Sequence, residues 1–178
     1  NYSLTWLAEG SGLLDGYGGP PGERTIADLQ GDQLVELLEH PNRWHRLTAQ
    51  RLILERGDET MIPVVRQVFS DADRAVSRLH ALYALEGLQA VEAADVQKAL
   101  RDDDPSIREH GLMLAEDFPE LYYAIVEAIY DQDDRVSFQA LLSVGQFDRD
   151  GQTQLFAEAL KERDFNHWYS MAVLSSER

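Results

Sequence analysis

The sequence contains no cysteine among its 178 residues. This absence excludes disulfides, thiolate nucleophiles, cysteine-ligated zinc and covalently attached c-type haem within the chain. It leaves the cellular compartment open. The sequence also lacks any run of about 20 apolar residues, the length that a membrane-spanning helix requires. We therefore expect no membrane insertion.

Positive charge is scarce. Sixteen Lys+Arg stand against 32 Asp+Glu, which gives a formal net charge of -16. Such a charge disfavours binding to nucleic-acid backbones and to anionic lipid, so we expect no nucleic-acid partner. Lys98 and Lys161 are the only lysines, and arginine is the cation better suited to bidentate pairing with carboxylates. The composition therefore predicts internal ion pairs more than a basic binding surface.

Motifs of common catalytic centres are missing too. The sequence has no nucleophile elbow, no phosphate loop and no His-Glu-x-x-His motif. The glycines at residues 16–19 follow no clear strand and open no helix, so they do not predict dinucleotide binding. We expect neither a catalytic centre nor a bound metal or cofactor in this segment.

The sequence does contain an internal repeat of about 30 residues, the length of a helical-hairpin repeat. Arginine precedes a small residue by three positions in three units, at Arg46, Arg78 and Arg108, with Ser137 and Tyr169 in that place in the other two. An apolar residue follows four positions later in the first four units, the spacing that stacks side chains on one helical face. The small residues themselves are Ala49, Ala81, Gly111, Ala140 and Ala172.

A short polar segment divides each unit into two predicted helices. Asn and Asp in these segments can cap the second helix, and Pro105 suits its first turn. Two short helices per repeat predict an all-α fold, a right-handed α–α superhelix of HEAT or armadillo type with about five hairpins. The predicted units are residues 31–56, 58–87, 91–116, 118–146 and 150–177.

These units form a predicted repeat domain over residues 25–178. Residues 1–24, rich in glycine, are predicted to be a loop or linker from a preceding domain. The last predicted helix is too apolar for a polar end cap, so we expect the natural chain to continue beyond Arg178.

Several runs also resemble a known family. They are Leu37-Leu38-Glu39-His40-Pro41-Asn42-Arg43-Trp44-His45-Arg46 with Ala49-Gln50-Arg51-Leu52, Arg78-Leu79-His80-Ala81-Leu82-Tyr83, Arg108-Glu109-His110-Gly111, Arg135-Val136-Ser137-Phe138-Gln139-Ala140 and Trp168-Tyr169-Ser170-Met171-Ala172-Val173-Leu174-Ser175-Ser176. As a set they resemble the HEAT-repeat block of large exported bacterial multidomain proteins of dehydrogenase type. The tetratricopeptide pattern of Trp, Gly-Tyr and Pro is absent.

The resemblance implies a function through neighbouring domains. In that family a sorbosone-dehydrogenase-like β-propeller precedes the helical block, and a c-type haem domain often follows it. The resemblance thus implies a non-catalytic scaffold or protein-interaction module in an exported, periplasmic or cell-envelope protein. Its partner would be a neighbouring domain of the same chain or a separate protein.

Two other functions remain open from the sequence. One is a free-standing cytoplasmic adaptor of HEAT type. The other is a HEAT-like enzyme of the lyase or glycosylase type, which is disfavoured because a glycosylase needs a basic groove and the net charge is -16.

A candidate interaction strip runs along the predicted second helices. His80, His110 and Gln139 share one register position, which predicts a hydrogen-bonded ladder between repeats; a ligand-contact strip or a metal site is the alternative. The arginines of the repeat complete this strip. Asp-rich turns near them favour inter-repeat salt bridges over an anion site.

Two tryptophans complete the set of candidate residues. We predict that Trp44 and Trp168 pack in the core, on the helix face that Ile107 and Val136 occupy in other units. The alternative is that they are interface anchors. His45 and His167 share a second register position in the first and last units, and we do not expect them to bind one metal.

Overall fold

The computed structural model describes residues 26–147, 150–162 and 171. Within that part of the chain every regular element is a helix, and no strand is present. The all-α prediction is therefore confirmed. None of the described helices is long and apolar enough to cross a membrane.

The described helices are joined by short turns. They are α1 Asp32–Glu36, α2 Arg43–Arg56, α3 Ile62–Asp71, α4 Ala75–Gly87, α5 Ala93–Ala99, α6 Pro105–Ala115, α7 Tyr122–Ala128, α8 Asp134–Val144 and α9 Gln152–Glu162. Short 3-10 helices extend or precede them at Ile26–Asp28, Leu37–Glu39, Glu59–Met61 and Pro119–Leu121. The chain divides into two compact units, residues 1–90 and residues 91–178.

In the first unit, four helices enclose one apolar core. Helix α1 packs against α2 and α3, and α4 packs against both α3 and α2. The apolar positions four residues apart on α2 and α4 face inward, as the repeat predicts. The fully buried side chains include Leu34, Leu38, Ala49, Ile53, Val65, Phe69, Ala81, Leu82 and Leu85.

The second unit repeats this packing. Helix α5 pairs with α6, α7 pairs with α8, and the two second helices α6 and α8 pack on each other. Its buried side chains include Val96, Ala99, Ile107, Leu112, Ala115, Ile125, Ile129, Ala140, Leu141 and Val144.

Most second helices begin with the caps that the sequence predicts. The side chains of Asn42, Asp104 and Asp133 each accept a hydrogen bond from a backbone N–H two residues further on, at 2.9, 2.8 and 3.0 Å. These bonds satisfy donors that the first helical turn leaves free. Helix α4 differs, because its N-cap is Arg74, which makes no side-chain cap bond.

The first and second helices of a hairpin approach closely at the small residue of the repeat. A Cβ atom added at Gly111 in α6 would lie 2.9 Å from the Cβ of Ala99 and 3.2 Å from the backbone of Ala99 and Leu100. Neither neighbour is a flexible side-chain end. Glycine at this position therefore lets α5 lie directly against α6.

Some predictions concern residues that the structure does not describe. The linker at residues 1–24, His167, Trp168 and Ala172 lie outside the described residues, as does most of the second half of the fifth predicted unit.

We predict that Gly111→Ala destabilises the protein although alanine is the better helix former by about 1 kcal/mol. The added methyl group would push the backbone of α5 away from α6, and overpacking of this kind costs about 1–3 kcal/mol. Urea unfolding monitored by circular dichroism measures the change.

Gly87→Ala is the matched control. Its added Cβ would lie 2.6 Å from the Cδ2 of Leu54, the end of a flexible side chain that can rotate away. We expect Gly87→Ala to leave stability unchanged or to raise it slightly. Equal losses in the two variants would contradict the close approach at Gly111.

Candidate functional site at the interhelical turns

In each of the first three repeats one arginine binds the turn between the two helices of its own hairpin. Nη1 of Arg46 donates to the carbonyl oxygens of His40 and Pro41, at 2.7 and 2.8 Å. Nη1 of Arg108 donates in the same way to Asp102 and Asp103, at 2.8 and 3.1 Å. In both cases the acceptors lie six and five positions before the arginine. The guanidinium group thus closes the turn and satisfies carbonyls that no helix can bond.

The repeat that lies between these two in the chain has the same bond pattern. Nη1 of Arg78 donates to the carbonyl oxygens of Ala72 and Asp73, at 2.8 and 3.1 Å. In the fourth unit serine replaces the arginine, and Ser137 Oγ donates to the carbonyl oxygen of Ile129 at 2.6 Å. The serine hydroxyl therefore bonds one carbonyl eight positions before it, whereas each arginine bonds the two carbonyls six and five positions before it.

Arg108 uses its second edge for an ion pair with the next repeat. Its Nε and Nη2 donate to the two carboxylate oxygens of Asp131, at 2.8 and 2.9 Å. Both side chains are largely shielded from solvent, at 18% and 14% exposure. Hydrogen bonding to Asp131 raises the pKa of Arg108 above its ordinary value. The predicted inter-repeat ion pair is therefore present at Arg108.

Arg46 lacks such a carboxylate. Its side chain is buried, and its Nε has no hydrogen-bond partner. Ala72 stands in the register position that Asp131 occupies opposite Arg108, each lying six residues before the next repeat's Arg78 or Ser137. Burial, followed by the positive charges of Arg74 and Arg43, lowers the pKa of Arg46. The ion pair predicted from composition is therefore absent at Arg46 among the described residues.

Two buried histidines lie beside Arg46. The rings of His40 and His45 stack with centroids 3.9 Å apart and an angle of 26°, and their residues are only 3% and 2% exposed. Nδ1 of His40 accepts a hydrogen bond from the backbone N–H of Asn42 at 3.0 Å. Nε2 of His40 and both ring nitrogens of His45 have no partner. The two rings therefore form a buried polar pair beside the buried Arg46.

The electrostatics keep both rings neutral. Burial, and then the neighbouring His40, lowers the pKa of His45 from 6.5 to about 4. Burial is also the largest cause that lowers the pKa of His40, with Arg46 and Arg74 adding to it. Neutral imidazoles are the form that a buried site without a carboxylate permits.

The position of Trp44 corrects the prediction of core packing. The residue directly before the repeat arginine or serine is the buried one: His45, Ser77, Ile107 and Val136 hold this position and are all buried. Trp44 lies one residue earlier and is 51% exposed. One residue corresponds to a rotation of about 100° around a helix, so the tryptophan faces away from the core.

The predicted polar strip is divided between the two compact units. In the first unit Nδ1 of His80 donates to Gln50 Oε1 at 2.7 Å, and burial, then the charges of Arg46 and Arg43, lowers the pKa of His80. In the second unit Gln139 donates to Ser143 Oγ at 3.1 Å, and Ser143 Oγ donates to Glu116 Oε1 at 2.7 Å. His80 therefore bonds the preceding repeat, whereas Gln139 bonds within its own helix and Ser143 makes the bond between repeats in the second unit. His110 is half-buried in α6.

Within the described residues, no three His, Cys, Asp or Glu side chains are grouped in a way that could hold a metal ion. The stacked rings of His40 and His45 are the nearest approach to a ligand pair, and stacked rings direct their nitrogens along roughly parallel planes.

Comparison with known proteins adds no relationship: no protein-family model and no curated protein matches the chain.

We predict that Asp131→Asn destabilises the protein by about 1–3 kcal/mol, because the change leaves the partly buried Arg108 without its charged partner. Asparagine keeps the acceptor that bonds the backbone N–H of Asp133, so the loss reports the ion pair. Chemical denaturation at constant ionic strength measures it.

Glu109→Gln is the control for Asp131→Asn. Glu109 is 16% exposed, but its partner Arg135 is 71% exposed. Water can therefore solvate the guanidinium group that the change leaves unpaired, and we expect a loss of less than about 1 kcal/mol. A loss at Glu109 as large as that at Asp131 would contradict the distinction between the two pairs.

We predict that His45→Leu reduces the loss of stability on acidification. The unfolded chain binds a proton near pH 6.5, whereas folded His45 does so near pH 4. The contribution of neutral His45 to the free energy of unfolding is therefore fully present above about pH 6.5. It is lost as the pH falls toward 4, and the loss reaches up to about 3 kcal/mol for this group. Unfolding free energies measured from pH 7 to pH 4 should fall less in the variant than in the natural sequence.

Ser77→Ala is the matched control, because Ser77 holds the same register position and its buried Oγ also has no partner. Serine does not titrate, so this variant should lose stability on acidification as the natural sequence does. A His45→Leu variant with the natural pH profile would show that His45 is not the group responsible.

Proposed function

We propose that this chain is a non-catalytic protein-interaction module, built as a right-handed α–α solenoid of about five helical hairpins. It acts within a larger exported redox protein of dehydrogenase type, whose chemistry resides in other domains. The partner is a neighbouring domain of the same chain or a separate protein.

The observation that carries this proposal is an exposed apolar pair on α2. Trp44 and Leu47 are 51% and 44% exposed, and their spacing of three residues places them on the same face of the helix. Beyond them on this face lie Arg51 and Glu55, which form an exposed ion pair at 3.6 Å. Tryptophan and arginine are both among the residue types enriched in protein-interface hot spots.

The local chemistry of the repeats supports the same function. The arginines and aspartates of the described turns bond backbone carbonyls, cap helices and pair with one another. These contacts hold the hairpins in shape. A rigid repeat framework with an exposed apolar pair is suited to binding another protein surface.

The setting in an exported protein rests on the family resemblance of the runs around Trp44, His80 and His110. The resemblance supports a location in the periplasm or cell envelope. A signal peptide, a β-propeller and a Cys-x-x-Cys-His motif elsewhere in the full gene product would support this setting. Their absence would favour a free-standing cytoplasmic adaptor.

Site-specific photo-crosslinking in the full-length gene product tests the interaction. A photoreactive residue at position 44 or 47 should form crosslinks to one definite surface, either on another domain or on a separate protein. Peptide mass spectrometry identifies that surface. Trp44→Ala should then weaken the association by at least about tenfold, as expected for an interface anchor.

The control position is Glu36, which is exposed on α1 in the same unit. We expect far fewer crosslinks from it. The same sparse and scattered crosslinks from all three positions would refute the interaction surface on α2.

A further inference from the structure

The exposed face of α7 carries acidic and aromatic side chains in alternation. Its members are Glu120 in the preceding 3-10 turn, Tyr123, Glu127 and Tyr130, which together we call the α7 strip. Spacings of three, four and three residues place these side chains along one face of the helix. We propose that the α7 strip binds a basic segment of a partner polypeptide through its arginine side chains. This inference adds a second binding surface to the proposed function, in the compact unit that does not contain Trp44.

The α7 strip is open to solvent. Tyr123 and Tyr130 are 77% and 46% exposed, and Glu120 and Glu127 are exposed as well. Neither carboxylate takes part in a hydrogen bond or an ion pair with another residue of the described chain. The backbone N–H of Tyr130 donates to the carbonyl oxygen of Glu127 at 3.1 Å, so the helical turn continues to the last member of the strip.

The fold itself does not require these side chains. Helix α3 and the 3-10 turn before it are the counterpart of α7 in the first unit. The buried positions of the two helices match one for one: Met61, Val65 and Phe69 in the first unit, and Leu121, Ile125 and Ile129 in the second. The positions of the strip are held in the first unit by neutral, non-aromatic residues, Thr60, Pro63, Gln67 and Ser70. The same helix therefore packs equally well without two tyrosines and two glutamates on its outer face.

One tyrosine of the strip is held in place by the core. The ring of Tyr123 contacts that of Tyr122 edge to face, with centroids 5.6 Å apart. Tyr122 is buried and contacts Phe147 in the same manner, at 5.4 Å. An aromatic side chain that is positioned in advance loses little conformational entropy on binding. Tyrosine is also enriched in protein interfaces and their hot spots.

The charges of the second unit favour a cationic partner. Residues 91–147 contain 13 acidic and 4 basic side chains. Arg108 and Arg135 are already paired with carboxylates. The other two cations, Lys98 and Arg101, are exposed at the end of α5, where they repel a basic segment. Such a segment therefore aligns with α7 rather than with α5.

The α7 strip also predicts the spacing of the arginines that it binds. Glu120 and Glu127 are seven residues apart, which is roughly 10 Å along a helix. In a polyproline II segment, side chains three positions apart lie on the same side, about 9 Å from one another. Two arginines with this spacing can each reach one carboxylate. Arginine suits the strip better than lysine, because its planar group pairs with a carboxylate and stacks on a tyrosine ring.

The test is an NMR titration of the whole chain with blocked tetrapeptides, followed at the ring signals of labelled tyrosines. The main probe is Arg-Pro-Pro-Arg. Arg-Arg-Pro-Pro keeps the composition and changes the spacing, Lys-Pro-Pro-Lys changes the cation, and Glu-Pro-Pro-Glu reverses the charge. Spermidine is the cation that is not a polypeptide, and sodium chloride controls for ionic strength.

We expect Arg-Pro-Pro-Arg to shift the ring signals of Tyr123 and Tyr130 saturably. The adjacent-arginine and lysine peptides should bind at least about threefold more weakly, and the glutamate peptide should not bind. Glu120→Gln combined with Glu127→Gln should weaken binding by about fivefold or more, and so should Tyr123→Ser combined with Tyr130→Ser. All four side chains are exposed, so circular dichroism should show both double variants folded.

The matched control is Glu36→Gln combined with Glu86→Gln, which removes two exposed acidic charges from the first unit. This variant should keep nearly the natural affinity for the peptide. Equal losses in the two glutamine double variants would show attraction to the net charge alone and would overturn the α7 strip. The absence of a saturable shift would overturn it too.

Two further outcomes concern the occupant. Spermidine binding as tightly as Arg-Pro-Pro-Arg would overturn a polypeptide as the ligand. Shifts of the same tyrosine signals on dilution of the chain alone would instead identify a second copy of the chain. The crosslinks from positions 44 and 47 report on α2, whereas this titration reports on α7, so either surface can fail while the other is confirmed.

Discussion

The bond between one guanidinium group and two turn carbonyls is the contact on which each of the first three hairpins depends. A turn of three to five residues leaves backbone carbonyls that neither helix can bond, and unpaired buried carbonyls are costly. At Arg46, Arg78 and Arg108 a single nitrogen, Nη1, bonds two of them. The arginine lies in the first turns of the second helix, so the same contact fixes where that helix begins relative to the first.

At Arg108 the other edge of the guanidinium group meets the next repeat, where Asp131 supplies a carboxylate and the charge is neutralised. At Arg46 in the first unit, Nε has no hydrogen-bond partner, and the residue before it is a buried histidine where the second unit has Ile107 and Val136. The two arginines therefore make the same turn bonds in different surroundings, because Arg108 is paired with a carboxylate and Arg46 is buried beside two histidines.

Much of the fold was predictable because it depends on local patterns. The spacing from Arg46 to Ala49 and Ile53 marks one face of a helix, and Asn42, Asp104 and Asp133 are residue types that cap helices through bonds two residues away. The orientations of Trp44, which is exposed, and His45, which is buried, were not predictable with the same accuracy. An alignment error of one residue between repeats rotates a side chain by about 100°, which exchanges a buried position for an exposed one.

The sequence by itself determined the helical hairpins, their caps, the small residues at which helices touch, and the excess of carboxylates available for pairing. These features follow from periodicity and from bonds within a few residues. Only the tertiary structure decided which carboxylate meets which arginine, since Arg108 and Asp131 are separated by 23 positions. It likewise decided that His40 and His45 are buried together, because burial depends on how the helices pack on one another.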